Sequence, residues 1–159
     1  KERIAEMGRR ISDDYAGSDL TIVGILKGSV PFVADLIRAI TVPLQIDFLE
    51  LSSYKGGMAS TGKVRLVKDL THSIEGKDVI IVEDIVDTGL TLAYLQDILR
   101  ARSPRNLRTA SLLSKPSRRQ KEVEIEYVGF TIGGKFVVGY GLDYADQYRN
   151  LPYIAVVPD

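Results

Sequence analysis

Hydrophobic and polar positions repeat along this chain in two periods, and the period switches several times. Residues 2–16 carry Ile4, Met7, Ile11 and Tyr15 at helical spacing with charges between them, which predicts an amphipathic helix. Residues 20–26 are almost continuously apolar and predict a buried strand. Lys27-Gly28-Ser29 then makes a tight loop. Ser29 is placed to cap the next helix, which has Pro31 near its first turn and runs to about residue 40. Residues 43–53 alternate, with Leu44, Ile46 and Phe48 on one face, and predict a strand. Residues 63–68 predict a shorter one. A strand over 78–82 leads to a helix over roughly 90–102. Residues 107–113 predict another buried strand, followed by a basic loop over 115–121. Strands over 123–132 and 136–138 are broken by Gly133-Gly134. An irregular loop over 140–150 precedes a last strand over 153–157. Strands alternating with helices predict an α/β fold, with a mostly parallel sheet flanked by helices on both faces.

One stretch carries most of the chemistry. Val79-Ile80-Ile81-Val82 is followed by Glu83-Asp84, then Ile85-Val86, then Asp87-Thr88-Gly89-Leu90-Thr91 opening a helical pattern. The apolar run reads as a strand buried on both faces. Neighbouring strand residues point to opposite faces, so the two carboxylates are expected just past its end. That is where open α/β sheets bind ligands. The small polar loop offers main-chain N–H groups at a helix N-terminus, a setting that suits a phosphate. It is neither a Walker A loop nor a dinucleotide fingerprint, and it is shorter than both. Carboxylates beside a phosphate cradle point to a phosphorylated sugar. Each feature alone has a plainer reading: a surface pair for Glu83-Asp84, a helix N-cap for Asp87.

Composition narrows the class. The chain has 159 residues, 45% hydrophobic and 26% charged, with 21 basic and 21 acidic side chains. This suits one domain over residues 1–159 with a full core. The balanced charge argues against a protein built to coat nucleic acid. With no cysteine there is neither a disulfide framework nor a thiolate metal site, and a reducing, cytoplasmic setting is expected. No apolar run reaches membrane-spanning length and no secretory signal opens the chain. It begins at Lys1 rather than Met, which points to a short preceding piece.

Other positions are weaker on their own. Lys27-Gly28 at a strand end can bind an anion or simply turn. The segment 54–62 has three glycines among small polar residues and reads as a loose excursion or as a lid. Lys115, Arg118, Arg119 and Lys121 form a basic run, ordinarily a solvated loop, but Lys115 directly follows a buried strand. His72, the only histidine, reads as a surface residue. Acid–base work therefore falls to a carboxylate. Phe136, Tyr140, Tyr144 and Tyr148 would by default be packing residues.

In order along the chain, these segments resemble the hypoxanthine-guanine phosphoribosyltransferases of purine salvage. The resemblance rests on Leu26-Lys27-Gly28, Ser52-Ser53-Tyr54, residues 82–89, Leu112-Leu113-Ser114-Lys115, residues 135–144 and Arg149-Asn150-Leu151-Pro152. It covers nearly the whole chain. The central motif is shared by many phosphoribosyltransferases, whereas Lys-Phe-Val-Val-Gly-Tyr-x-Leu-Asp-Tyr is specific to 6-oxopurine enzymes. The resemblance implies a small hood, built from the N-terminus and about 133–159, and a flexible lid over 54–62 that Ser53 and Tyr54 begin. It implies transfer of the 5-phosphoribosyl group from 5-phosphoribosyl 1-diphosphate to hypoxanthine or guanine, giving IMP or GMP and diphosphate, with Mg2+. Asp87, Thr88, Gly89, Leu90 and Thr91 would cradle the 5′-phosphate. Asp87 would also serve as general acid/base at N7. Glu83 and Asp84 would hold the ribose hydroxyls and magnesium. Lys115 would donate to O6, Phe136 would stack on the base and Val137 would read its edge. Asp143 would complete the purine site and hold a second magnesium. Lys27, Gly28 and Arg149 would contact diphosphate, with a cis bond between Lys27 and Gly28. A homodimer or homotetramer is implied in the same way.

Two other readings stay open in the sequence. One is the same chemistry on xanthine, because Lys115 and Phe136 leave the purine 2-position open. The other is a non-catalytic regulator that senses phosphoribosyl diphosphate while binding nucleic acid. The neutral charge balance and short chain weigh against the regulator.

Overall fold

The computed structural model describes residues 1–53 and 64–159. In chain order the elements are α1 (Glu2–Asp14), β1 (Leu20–Leu26), α2 (Val30–Ala39), β2 (Leu44–Ser53), β3 (Val64–Lys68), β4 (Asp78–Val86), α3 (Leu90–Arg100), β5 (Asn106–Ser114), β6 (Tyr127–Thr131), β7 (Val137–Val138) and β8 (Ala155–Val156). The main sheet has six strands in the order β3-β2-β1-β4-β5-β6. All its pairings are parallel except β2 with β3. Strand order reverses between β1 and β4, the kind of switch point beside which open α/β sheets hold ligands. β7 and β8 form a separate antiparallel pair.

The sheet is covered because its central strands are apolar on both faces. On β4, Ile80 and Val82 join one core with α1 and α2, while Val79 and Ile81 join the other with α3. β1 divides in the same way, Leu20 and Ile22 against Val23 and Ile25. The period of two thus sorts each strand between the cores. Ile4, Met7 and Ile11 of α1 and Leu92, Leu95 and Leu99 of α3 supply the helical faces. Each such buried side chain contributes about 2 kcal/mol.

Five local expectations change. β4 does not end at residue 82 but runs through Val86, so Glu83 and Asp84 lie inside it. The pairing with β5 continues, Glu83 opposite Ser111 and Val86 opposite Ser114, whereas the pairing with β1 stops at Val82 opposite Gly24. β1 continues with β2 as far as Leu26. The two central strands therefore part, and the cleft opens between them. Ser29 precedes α2, but its hydroxyl donates to the Ile25 carbonyl at 2.7 Å instead of capping the helix. Gly89, with φ of +85°, occupies the N-cap of α3, so Asp87 is not its cap. The cis peptide is Leu26–Lys27, one bond earlier than expected. The strand expected over 123–132 is shorter, beginning at Tyr127. The lid expected over 54–62, Tyr54 included, lies outside the described residues, as does the side chain of Ser53.

Candidate active site

Residues from four places meet at the open end of β1 and β4. A cavity of about 240 Å³ is lined by Glu83 through Gly89 with Thr91 and Leu92. Its floor is the loop between β4 and α3. The left-handed backbone at Gly89 turns that loop into the helix, a conformation that costs a side-chain-bearing residue but not glycine. A Cβ there would also strike the Lys121 carbonyl. Main-chain N–H groups before the first turn of α3 have no helical partner, which makes this end of the helix receptive to a phosphate. Leu90 and Thr91 are exposed there and Thr88 is half-buried.

Glu83 is buried, and its strand neighbour Asp84 is half-buried. Burial, then the Asp84 charge, pushes the Glu83 carboxyl well above its ordinary range. Burial raises Asp84 to about 6. Hydrogen bonds from its own and the Ile85 main-chain N–H and the Arg149 charge oppose that rise, while Asp143 adds to it. Gly28 lies so close to Asp84 that a Cβ on it would overlap the carboxylate. The Lys27-Gly28 turn and Asp84 therefore share one wall of the cleft.

Lys115 follows β5 and is only 4% exposed. Its Nζ lies 4.0 Å from Asp87 Oδ2. Asp87 Oδ1 accepts a 2.7 Å hydrogen bond from Arg118 Nε. Arg119 fastens the same loop: Nη1 donates to the Val86 carbonyl at 3.1 Å and the Asp87 carbonyl at 2.8 Å, and Nη2 to the Ser114 hydroxyl at 2.8 Å. Main-chain N–H groups of Gln120 and Lys121 donate to the Thr88 carbonyl. The basic run is thus a brace around the β4–α3 loop, not a free solvated loop. Arg118 and Arg119 were not among the residues expected at the site. The signal was their position directly after β5, which placed Lys115 but was not extended to its neighbours.

The small sheet supplies the far side. Val137 pairs with Val156 and is buried. Phe136 is 50% exposed and meets Tyr144 edge-to-face at 5.8 Å, so neither ring is the core residue the default reading made it. Tyr140 is partly buried instead, and its hydroxyl is bonded to Asp35. Arg149 Nη1 donates to the Gly141 carbonyl at 2.7 Å, and Nη2 lies 3.4 Å from Asp143. Lys27 Nζ is 3.8 Å from Asp146, a second acidic partner not expected from the sequence. Lys27, Arg149, Asp143 and Asp146 form one mixed-charge rim. His72 is exposed and away from this cleft, as expected.

The oxygen donors suit a hard divalent cation: buried Glu83 is pushed up by its own burial and by the charge of the adjacent, half-buried Asp84, a strain such an ion relieves. Among the described residues no three acidic or histidine side chains are grouped to hold an ion. The resemblance implied one ion at Glu83 and Asp84 and a second at Asp143, so it called for no three-carboxylate cage. Mg2+ characteristically takes one or two carboxylates and keeps other positions for water and substrate oxygens, and that arrangement fits here.

Comparison with known proteins agrees with the geometry. The phosphoribosyl transferase domain model matches residues 1–145. The chain is 52% identical over 159 residues to the hypoxanthine phosphoribosyltransferase of Escherichia coli (strain K12), covering 99% of this chain and 89% of that one. It is 54% identical over 152 residues to the hypoxanthine-guanine phosphoribosyltransferase of Staphylococcus epidermidis, covering 96% and 85%. The bifunctional protein TilS/HprT of Listeria monocytogenes is 46% identical over 157 residues, and there the chain spans only 24% of the relative's length. Among solved structures, a hypoxanthine phosphoribosyltransferase of Staphylococcus aureus superposes with TM-score 0.92 at 49% identity, covering 99% of this chain and 88% of that one. A hypoxanthine-guanine phosphoribosyltransferase of Bacillus anthracis gives 0.93 at 47%, covering 99% and 92%. The switch-point cleft, the phosphate loop and this likeness over nearly the full chain make it a member of the phosphoribosyltransferase family, among the hypoxanthine-guanine enzymes.

Proposed function

We propose that the chain transfers the 5-phosphoribosyl group of 5-phosphoribosyl 1-diphosphate to N9 of hypoxanthine or guanine, releasing IMP or GMP and diphosphate. The observation that carries this reading is the pairing of Asp87 and buried Lys115 across 4.0 Å, beside a helix-terminal loop shaped for one phosphate. An edge bearing a carbonyl and a ring N–H finds an acceptor and a donor there. The purine N7 proton passes to Asp87, Lys115 donates to O6 and Phe136 offers a face for stacking. The 5′-phosphate accepts from the 87–91 loop. As the C1′–N9 bond forms, the C1′–O bond to diphosphate breaks, and Lys27 and Arg149 receive the leaving group's charge. Glu83 and Asp84 face the ribose hydroxyls. Mg2+, held by these carboxylates and by substrate oxygens, would neutralise the diphosphate.

The lid led by Ser53 and Tyr54, a cytoplasmic setting and a homodimer or homotetramer belong to the same proposal. Among the described residues no helix is long and apolar enough to cross a membrane. A spectrophotometric assay with phosphoribosyl diphosphate, Mg2+ and either hypoxanthine, guanine or xanthine tests the transfer. Turnover of the first two well above xanthine is expected. Binding of phosphoribosyl diphosphate with no turnover of any base would leave the regulator in its place.

A further inference from the structure

Asp87 meets a different cation at each carboxylate oxygen, and the two contacts are unequal. Oδ1 takes a full hydrogen bond from Arg118 Nε at 2.7 Å. Oδ2 lies 4.0 Å from Lys115 Nζ, too far for a direct hydrogen bond. That gap is wide enough for a purine edge to take one bond from each side, N7 to Oδ2 and O6 to Nζ. We propose that Arg118 is a positioning residue that occupies Oδ1 and so turns Oδ2 toward Lys115 and the incoming base. This rests on the purine-transfer reading and adds a residue that touches neither substrate nor product.

The rest of the local geometry supports the assignment. Arg118 ends the 3-10 turn Pro116–Arg118. That turn is stiffened by Pro116 and by main-chain bonds from Arg118 to the Lys115 carbonyl and from Arg119 to the Pro116 carbonyl. The guanidinium therefore starts from a fixed point. A carboxylate without such a partner rotates about its last torsion, which is broad and nearly two-fold, and presents either oxygen. Fixing that rotation removes a cost from the reacting state and leaves distant contacts unchanged. Arg119 braces the main chain of the same residue, so each arginine holds a different part of it. The Arg118 side chain is half-exposed, and its loss opens no hole in the core.

The test is steady-state kinetics of Arg118→Ala and Arg118→Lys beside the wild type. For Arg118→Ala, kcat is expected to fall about tenfold, with KM for phosphoribosyl diphosphate within about twofold. Arg118→Lys, or added ethylguanidinium on the alanine variant, is expected to restore part of kcat. An unchanged kcat in an active background overturns the assignment. So does a loss accompanied by equal rises in both KM values and no rescue, which would mark Arg118 as merely structural. Wild-type protein with no turnover would sink the transfer reading itself, a result distinct from either of these.

Discussion

At Asp87 a single carboxylate gathers two cations while its main chain is held by a third. Under the proposed transfer it is the acid that exchanges a proton with a base seated against Lys115, whose Nζ lies 4.0 Å away. Asp87→Asn keeps an acceptor for Arg118 but removes the proton exchange. Its kcat is expected to fall by about a hundredfold or more, with much smaller changes in KM. Rapid-quench or steady-state kinetics would show this, and an unaltered kcat would remove Asp87 from the chemistry. Lys115→Ala should separate from it. Loss of a charge-assisted bond to O6 is worth roughly 1.5–3 kcal/mol, so purine KM should rise some ten- to hundredfold. Binding of phosphoribosyl diphosphate, followed by calorimetry, should hold. Equal loss of both ligands would show that Lys115 only props the fold. Lys115 stood out in the sequence because it directly follows a buried strand, and Asp87 because it heads a small polar loop opening a helix; the roles given to both came from the resemblance. Arg118 and Arg119 were not, because a basic run carries no mark of which charges turn inward. Arg118 reaches Asp87 from 31 residues away along the chain, a pairing that only the fold creates.

The elements were easier to find than to bound. Among the described residues, the three α-helices and the six strands of the main sheet all lie in segments that the hydrophobic periods mark. The end of β4 is not so marked, because a strand's length depends on what its neighbours do. The acidic pair signalled an exit from the sheet, and on the β1 side that is what happens. β5 keeps pairing to Val86, so the same residues are in the sheet on one side and in the cleft on the other. The N-terminus of α3 shows a related limit. Asp87-Thr88 looked like a capping site, but the turn is made two residues later by Gly89 in a left-handed conformation. Gly89→Ala should therefore be costly in two ways: backbone strain of about 1–2 kcal/mol and a Cβ pressed on the Lys121 carbonyl. A fall in Tm of several degrees is expected by calorimetry, together with a raised KM for phosphoribosyl diphosphate. A variant with wild-type Tm and KM would show that the loop tolerates the side chain.

At the scale of the whole molecule, buried carboxylates pull stability in opposite directions with pH. Burial works to raise Asp47, but the Thr71, His72 and Phe48 main-chain N–H groups, with Lys68 nearby, hold its carboxyl below the usual range. A group lowered in the folded state stabilises above its unfolded pKa, and that contribution disappears as pH falls through the folded value. Asp47→Ala leaves those donors without their acceptor and should cost about 3 kcal/mol at pH 7 by urea unfolding. Its deficit against wild type should shrink as pH falls below the ordinary aspartate range, and a deficit constant with pH would refute the account. Glu83 and Asp84 act the other way. Raised in the folded state, they favour it below their unfolded values and lose that contribution as pH rises, through about 6 for Asp84. The site is thus an electrostatic cost at neutral pH, compensated by acids such as Asp47 elsewhere in the sheet. The overall α/β plan was legible because its core strands are apolar on both faces. The charge compensation was not, since Asp47 looks like any polar residue on an alternating strand.

The brace over the phosphate loop has a consequence for how this protein can change over generations. Gln120 and Lys121 grip Thr88 through their amide N–H groups, not their side chains. Almost any mutation at these two codons therefore preserves the grip, because nineteen of the twenty residues supply the same donor and only proline lacks it. Charge and size can change here without removing the main-chain bonds that hold the turn after β4. The outer surface of the brace is thus a place where new properties can be acquired while the inherited chemistry is kept.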